Sequence, residues 1–406
     1  MVDLIAAVLG RPNALDAEVN ALTAHALLTA PPTALIDPAR AAAAARLQDF
    51  RNPMWIATLA VQIVALAWFW STGRSAHLRD LLRARMRSEF WVRFCFGAAL
   101  ALIDRAASFI PQAIQYRFMK LMDLNELLFR TWLGHWIAGT IVIMIVVGLT
   151  AAIVLGLADR THQWYVYTIA GVLAFTLLVA YVTPVLITPL TGSLVPFHPS
   201  AASQRPIAQI EQRTQSAIPI VVEQVSNRTR SGRAYVLGWG GTQRMVISDT
   251  LVAGSTPAEM QFFVARSLVW MRANLGLQTA LVQAAFIVVG AALSVLIADR
   301  IGFRRDDDPV SRLALLGAVI GCVYAVALPF YNGYARRADI VVESAAVGVT
   351  ADPVAAIRSE VRAADQDLDE ICPKRVTYWY LSERAPVDQR IANLQNRPDE
   401  CATRRR

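Results

Sequence analysis

Charge is what this chain has least of. Asp, Glu, Lys and Arg make up only 17% of its 406 residues, against about 25% in an ordinary soluble domain. Together with a hydrophobic share of 55%, this excludes a disordered chain and a typical soluble enzyme. Lysine is almost absent. Of 39 basic residues only Lys120 and Lys374 are not arginine. With the abundant alanine, this reads as the usage of a GC-rich, actinobacterial-like genome rather than as a mechanism. Four cysteines are too few for a disulfide scaffold. Cys95 and Cys322 lie in apolar stretches and read as packing residues, whereas Cys372 and Cys401 could pair if the C-terminal part faces an oxidising compartment. Histidine is scarcer than in most enzymes. The five are His25, His77, His135, His162 and His198, so none lies beyond 198. The first residues, Met1-Val2-Asp3, lack the basic start of a cleavable signal peptide.

What is present is apolar sequence in long runs. A helix needs about 20 apolar residues to cross a hydrocarbon core. Six segments qualify, about 54–71, 92–111, 134–157, 163–187, 275–297 and 311–331. The second carries Arg93 and the pair Asp104-Arg105, each costing about 2.5–3.5 kcal/mol at mid-membrane, so these should face protein or water inside a bundle. The expected fold is therefore mainly α, a polytopic membrane bundle of about six spans with a small α+β soluble domain. Its parts are a polar helical segment at 1–53, four spans over 54–187, a soluble insertion at 188–274, two spans over 275–331, and a tail at 332–406 that completes the soluble domain. The net charge of +8 is read as contact with anionic lipid headgroups, not nucleic acid.

The insertion has a legible grammar. Val221–Val225 alternates like a strand, Ala234–Leu237 enters a Gly turn at Gly238, and Arg244–Ser248 is a third strand. A small antiparallel sheet or hairpin follows from this. Thr256, Pro257 and Glu259 then form the N-cap, N1 and N3 of a capping box, so a helix should start at 257. Val361–Asp369 reads as a surface helix, and Asp306-Asp307-Asp308 as a solvated loop.

Over about 110–395 this order resembles the integral-membrane zinc metallopeptidases of the CAAX prenyl protease 1 and HtpX type, peptidase family 48 of the metallopeptidases. The segment Pro184–Leu190 with Pro196 is similar to that family's exit from the membrane. Ala234–Gly238 is similar to its Asn-Ala-Tyr stretch, with the asparagine replaced by Arg233. Arg244–Leu251 is similar to its Arg-Ile-Val-Leu-x-Asp-Thr-Leu stretch and fixes the spacing to the capped helix. In the family that helix carries His-Glu-x-x-His and then Trp, two zinc ligands on one helix face with a general base between them. Here the five positions read Ala265, Arg266, Ser267, Leu268 and Val269, with Trp270 retained. The family's third ligand falls on Asp339 within Arg336–Glu343, and its C-terminal His and Arg fall on Arg384 and Arg390.

The resemblance thus implies a degenerate member: no catalytic residue at Ala265, Arg266, Val269 or Arg384, and no zinc. A replacement site would draw on Arg266, Asp339, Glu343, Arg336 and Arg390. Carboxylates alone, Asp249 among them, suit Mg or Ca rather than hydrolytic zinc. Arg266 and Asp339 stand at facing positions on the family template and could pair as guanidinium and carboxylate in the metal's place. The favoured function is a pseudo-peptidase that binds or scaffolds a membrane partner or client. An active endopeptidase with a non-standard site and a transporter or channel component remain as alternatives.

Orientation carries a conflict. Arg74, Arg79, Arg83, Arg85 and Arg87 crowd the stretch 72–90, and the positive-inside rule would make that stretch cytoplasmic. With six spans the soluble part would then lie outside. The resemblance places it in the cytoplasm, and a plasma-membrane protein with six spans and a cytoplasmic soluble domain is the expectation adopted.

Overall fold

The computed structural model describes residues 18–122, 124–182, 194–229, 231–302 and 308–402. Short α1 (Ala24–Thr29) is capped by Thr23, whose hydroxyl accepts from the Ala26 amide. It leads to α2 (Pro38–Ser71), where Asp37 caps and Pro38 occupies the first turn. The helix passes through Pro53 without ending, so the boundary drawn at 53 falls inside one element. Arginine-rich α3 (Arg74–Arg85) follows Gly73, whose φ of 77° supplies the left-handed turn between the two helices. Next come α4 (Glu89–Leu121), α5 (Phe129–Arg160) and α6 (Trp164–Val182). The soluble insertion contains β1 (Leu194–Pro196), α7 (Ala201–Thr214), β2 (Ile220–Glu223), β3 (Ala234–Leu237) and β4 (Arg244–Ser248). Then follow α8 (Asp249–Gly254), α9 (Pro257–Arg272), α10 (Leu275–Gly302), α11 (Pro309–Thr350), α12 (Pro353–Asp367) and α13 (Val387–Leu394).

Six of these helices, α2, α4, α5, α6, α10 and α11, are long and apolar enough to span a bilayer. The bundle is held by close backbone approach as well as by side chains. A Cβ on Gly148 of α5 would lie 2.7 Å from the Phe94 carbonyl of α4, and one on Gly97 would lie 2.9 Å from Ala151 Cβ. Three charges inside α4 meet partners on neighbouring helices. Gln62 donates to Asp104 at 2.9 Å, Arg105 donates to Thr140 and lies over the Trp136 ring, and Arg93 pairs with Asp159.

The α11 helix decides how the two halves connect. At 42 residues it is about 63 Å long, roughly twice a hydrocarbon core. Its second half therefore leaves the membrane and enters the soluble domain as one rigid rod. The tail at 332–406 begins as this continuation, not as a new element.

The sheet order is β1-β2-β4-β3. The hairpin β3–β4 is antiparallel as the sequence suggests, with Tyr235 opposite Val246. The pairing of β2 with β4 is parallel, with Val221 opposite Val246, which corrects the wholly antiparallel expectation. The cause is topological. The connection 224–233 carries the chain past β4, so β3 takes β4's outer edge and β2 takes its inner one. A further strand, β1, pairs antiparallel to β2 and keeps Pro196 at the sheet edge, where a missing N–H is tolerated.

The soluble core gathers Ile210, Met245, Ile247, Phe262, Val264, Leu268, Ile357 and Ile391. Leu27, Leu35 and Ile36 belong to the same core. The N-terminal segment, expected as surface helices, thus closes the domain from the side. The expected surface helix at 361–369 is likewise corrected. Val361, Arg362, Ala364 and Asp365 of α12 are all buried, because the sheet and α9 leave one face of α12 to cover the core. Of the segment Pro184–Pro196, residues 184–193 lie outside the described residues, as do Asp306, Asp307 and the terminal arginines.

Candidate functional site

The α9 helix starts as its capping box dictates. The Thr256 hydroxyl accepts from the Glu259 amide at 3.3 Å, and the Glu259 carboxylate accepts from the Thr256 amide at 2.6 Å. The same carboxylate, fully buried, pairs with Arg362 of α12 at 3.1 Å, so the cap also clamps α9 to α12. This sets the rotation of α9. Ala265 turns into the core at 0% exposure, while Phe263, Arg266, Ser267 and Trp270 line a cavity of about 730 Å³.

The extramembrane half of α11 presents Asn332, Arg336, Asp339 and Glu343, all buried, on one face at intervals of three or four residues. Asn332 donates to the Trp379 carbonyl at 3.1 Å. Arg336 donates to the carbonyls of Tyr378 and Ser382 at 2.6 and 2.7 Å and stacks on the Tyr378 ring. Arg336 is therefore an anchor for the segment that delivers Arg384.

Asp339 and Glu343 meet three guanidinium groups. Arg266 pairs with Asp339 and lies 3.9 Å from Glu343. Arg384 reaches Asp339 at 3.5 Å and Glu343 at 3.1 Å. Arg390 lies 4.0 Å from Glu343 and pairs with Glu360 of α12. Three cations and three carboxylates thus interlock across α9, α11, α12 and the C-terminal segment. Glu360, which also accepts from Arg384 at 3.4 Å, was missed in the sequence. Its signal was available: it falls on the apolar face of α12 with Ala356, Ile357 and Ala364, where an isolated carboxylate needs a partner. The structure brings together Arg266, Asp339, Glu343, Arg384 and Arg390. It leaves Ala265 and Val269 without polar contact chemistry.

Protonation around the cavity is also displaced. Burial, helped by Asp369, pushes the Asp367 carboxyl up to about 7 against the pull of the Ser231 hydrogen bond and Arg233. Burial pushes Asp365 up to about 6, partly offset by Arg40. Burial and the neighbouring Glu223, which accepts from Tyr235 at 3.0 Å, push the Tyr235 phenol up to about 12. Burial alone would lower Arg384, but Asp339, Glu343 and Asp369 raise it above the usual range. Asp249 is committed elsewhere. Burial opposes its ionisation, but donors from Ser226, Val225 and Thr250 outweigh that and hold the carboxyl below the ordinary value.

Catalytic zinc needs about three N, O or S donors and an open position. These residues do not fit that requirement. Ala265 and Val269 have no donor atom, Arg266 brings a positive charge, and both α11 carboxylates already face guanidinium groups. Cys372 and Cys401 are joined to each other in a disulfide with Cα atoms 5.4 Å apart.

The six spans, the long α11 rod and the small sheet define the class, a multi-pass membrane protein with a metallopeptidase-like domain astride its last two spans. Residues 33–193 match the family described as CAAX prenyl protease N-terminal, five membrane helices. Within that range the described residues supply four span-length helices and the short, charged α3. The uncharacterized metalloprotease YhfN of Bacillus subtilis (strain 168) is 19% identical over 379 residues, which cover 90% of this chain and 88% of that protein. The crystal structure of S. mikatae Ste24p shares the fold with a TM-score of 0.73 at 14% identity, covering 97% of this chain and 98% of that one. In sequence and fold the chain thus resembles the membrane metallopeptidases of peptidase family 48.

Proposed function

We propose that this protein is a proteolytically inactive relative of the membrane metallopeptidases that binds or scaffolds a membrane-protein partner or client. The observation that carries this reading is the Arg266–Asp339 ion pair. A guanidinium stands where the resemblance puts the general base, and it neutralises the carboxylate that would be the third ligand. An arginine cannot accept a proton at neutral pH, and its charge repels a divalent ion. The interlocked charges occupy the carboxylates with guanidinium groups, which suits holding a partner better than activating water. The chain sits in the plasma membrane with the bilayer around its six spans, and zinc is no part of its working form.

Metal analysis and peptidase assay on the purified full chain test this. The expected result is substoichiometric zinc and no hydrolysis of unfolded or prenylated peptides, with a defined membrane protein copurifying. Stoichiometric zinc together with chelator-sensitive hydrolysis would instead make it an enzyme with a non-standard site. As a converse test, Ala265→His, Arg266→Glu, Val269→His and Asp339→Glu combined should create measurable zinc binding that the natural chain lacks.

A further inference from the structure

The two ends of the bundle differ in a way that bears on which of them faces the cytoplasm. Leu27, Leu35 and Ile36, which precede α2, pack in the soluble core, so α2 enters the membrane from the soluble-domain end. The six spans then place the connections α2–α4, α5–α6 and α10–α11 together at the opposite end. Ion pairs tie that end into one surface: Arg83 and Arg79 of α3 reach Asp308, the cap of α11, at 2.5 and 3.8 Å. Arg74, Arg83, Arg85 and Arg87 are exposed there. The sequence between α10 and α11 adds Arg304 and Arg305. At the soluble-domain end, the one short connection, 122–128, holds Asp123 and Glu126 and no basic residue, with Arg117, Lys120 and Arg130 in the flanking helices. Of the other arginines at that end, Arg40 and Arg336 are buried in the folded domain, while Arg46, Arg272 and Arg337 are exposed. Long folded segments cross regardless of their charge, whereas short loops obey the positive-inside bias.

A second, independent observation lies in the soluble domain itself. Cys372 and Cys401 form a disulfide, at a sequence separation of 29. Such bonds persist in oxidising compartments and are rare in the cytosol.

We propose that the arginine-rich end lies against anionic phospholipid headgroups of the cytoplasmic leaflet, and that the soluble domain with its charged cavity opens into the oxidising space on the other side. This reverses the orientation expected from family resemblance and is independent of whether the site is catalytic. It makes the cavity's clients extracytoplasmic peptides or membrane-protein segments. Asn227 is exposed in the soluble domain and Ala84 is exposed on α3. Membrane-impermeant maleimide should label full-length Asn227→Cys in intact cells above the wild-type blank. Ala84→Cys should be labelled only after permeabilisation. If Asn227→Cys fails to accumulate, exposed Gln224→Cys serves the same purpose. Acid-quenched alkylation should leave Cys372 and Cys401 unmodified until reductant is added. Labelling of Ala84→Cys in intact cells, protection of the soluble-domain cysteines there, or free Cys372 and Cys401 thiols in quenched cells would each overturn the proposal.

Discussion

At the scale of single residues, the site is a problem of mutual neutralisation. Asp339 touches both Arg266 and Arg384, and Glu343 touches three guanidinium groups at 3.1 to 4.0 Å. Removing Arg266 leaves Asp339 with Arg384 as its remaining cation. Arg266→Ala should therefore destabilise the fold by about 1–3 kcal/mol, below the cost of a fully orphaned charge, read as a lowered thermal midpoint in detergent. The double variant Arg266→Ala, Asp339→Ala should recover at least about 1 kcal/mol of the summed losses; strict additivity would mean the pair is not coupled. A second residue-scale effect concerns pH. Asp367 titrates near 7 in the fold and near 3.8 when unfolded. Folding therefore favours its protonated form, and that stability fades as pH rises from about 4 through 7. Asp367→Asn, which mimics the protonated state, should raise the unfolding free energy at pH 8 by an amount on the order of 3 kcal/mol and by clearly less at pH 5. An equal effect at both values would mean that this carboxyl titrates normally.

At the scale of elements, two helix contacts carry specific loads. Glu259 both caps α9 and anchors Arg362. Thr256→Ala removes only the cap and should cost about 1 kcal/mol. Glu259→Ala also removes the carboxylate paired with a buried guanidinium and should cost about 3 kcal/mol. The difference, measured by denaturation of the two variants, separates the clamp from the cap. In the membrane, Gly148 sits where a Cβ would collide with the Phe94 backbone. Gly148→Val should therefore separate α4 from α5 and reduce the folded yield, because close approach through small residues is what binds spans in lipid. Normal yield and midpoint would mean that the two helices shift at little cost.

At the scale of the molecule, the C-terminal segment is held at both ends. The disulfide closes a loop that contains Arg384 and Arg390, and Arg336 grips its carbonyls from α11. Loop closure of this length corresponds to about 3–4 kcal/mol in the chain-entropy account. Cys401→Ala should lower the thermal midpoint to match, and added reductant should lower the natural protein to the same value. Much of this architecture was legible beforehand. The spans followed from hydropathy and α9 from Thr256-Pro257-x-Glu259. Three features were not. Parallel pairing of β2 with β4 depends on which edge the hairpin leaves open. The burial of α1 and α12 depends on what their apolar faces meet. Glu360 joins the site only because α12 packs beside α11.

Periodicity, capping chemistry and the absence of histidine beyond residue 198 are local properties, carried by residue type and spacing. They fix which six segments are long and apolar enough to span a membrane, where the helices start, and that Ala265 and Val269 bring no donor atom. Which charges meet is a long-range matter. Arg266 and Asp339 are 73 residues apart, and only the length and rotation of α11, fixed by packing against α9, bring the guanidinium to the carboxylate. Burial of that cluster away from water then makes each charge depend on the others, which no reading along the chain could supply.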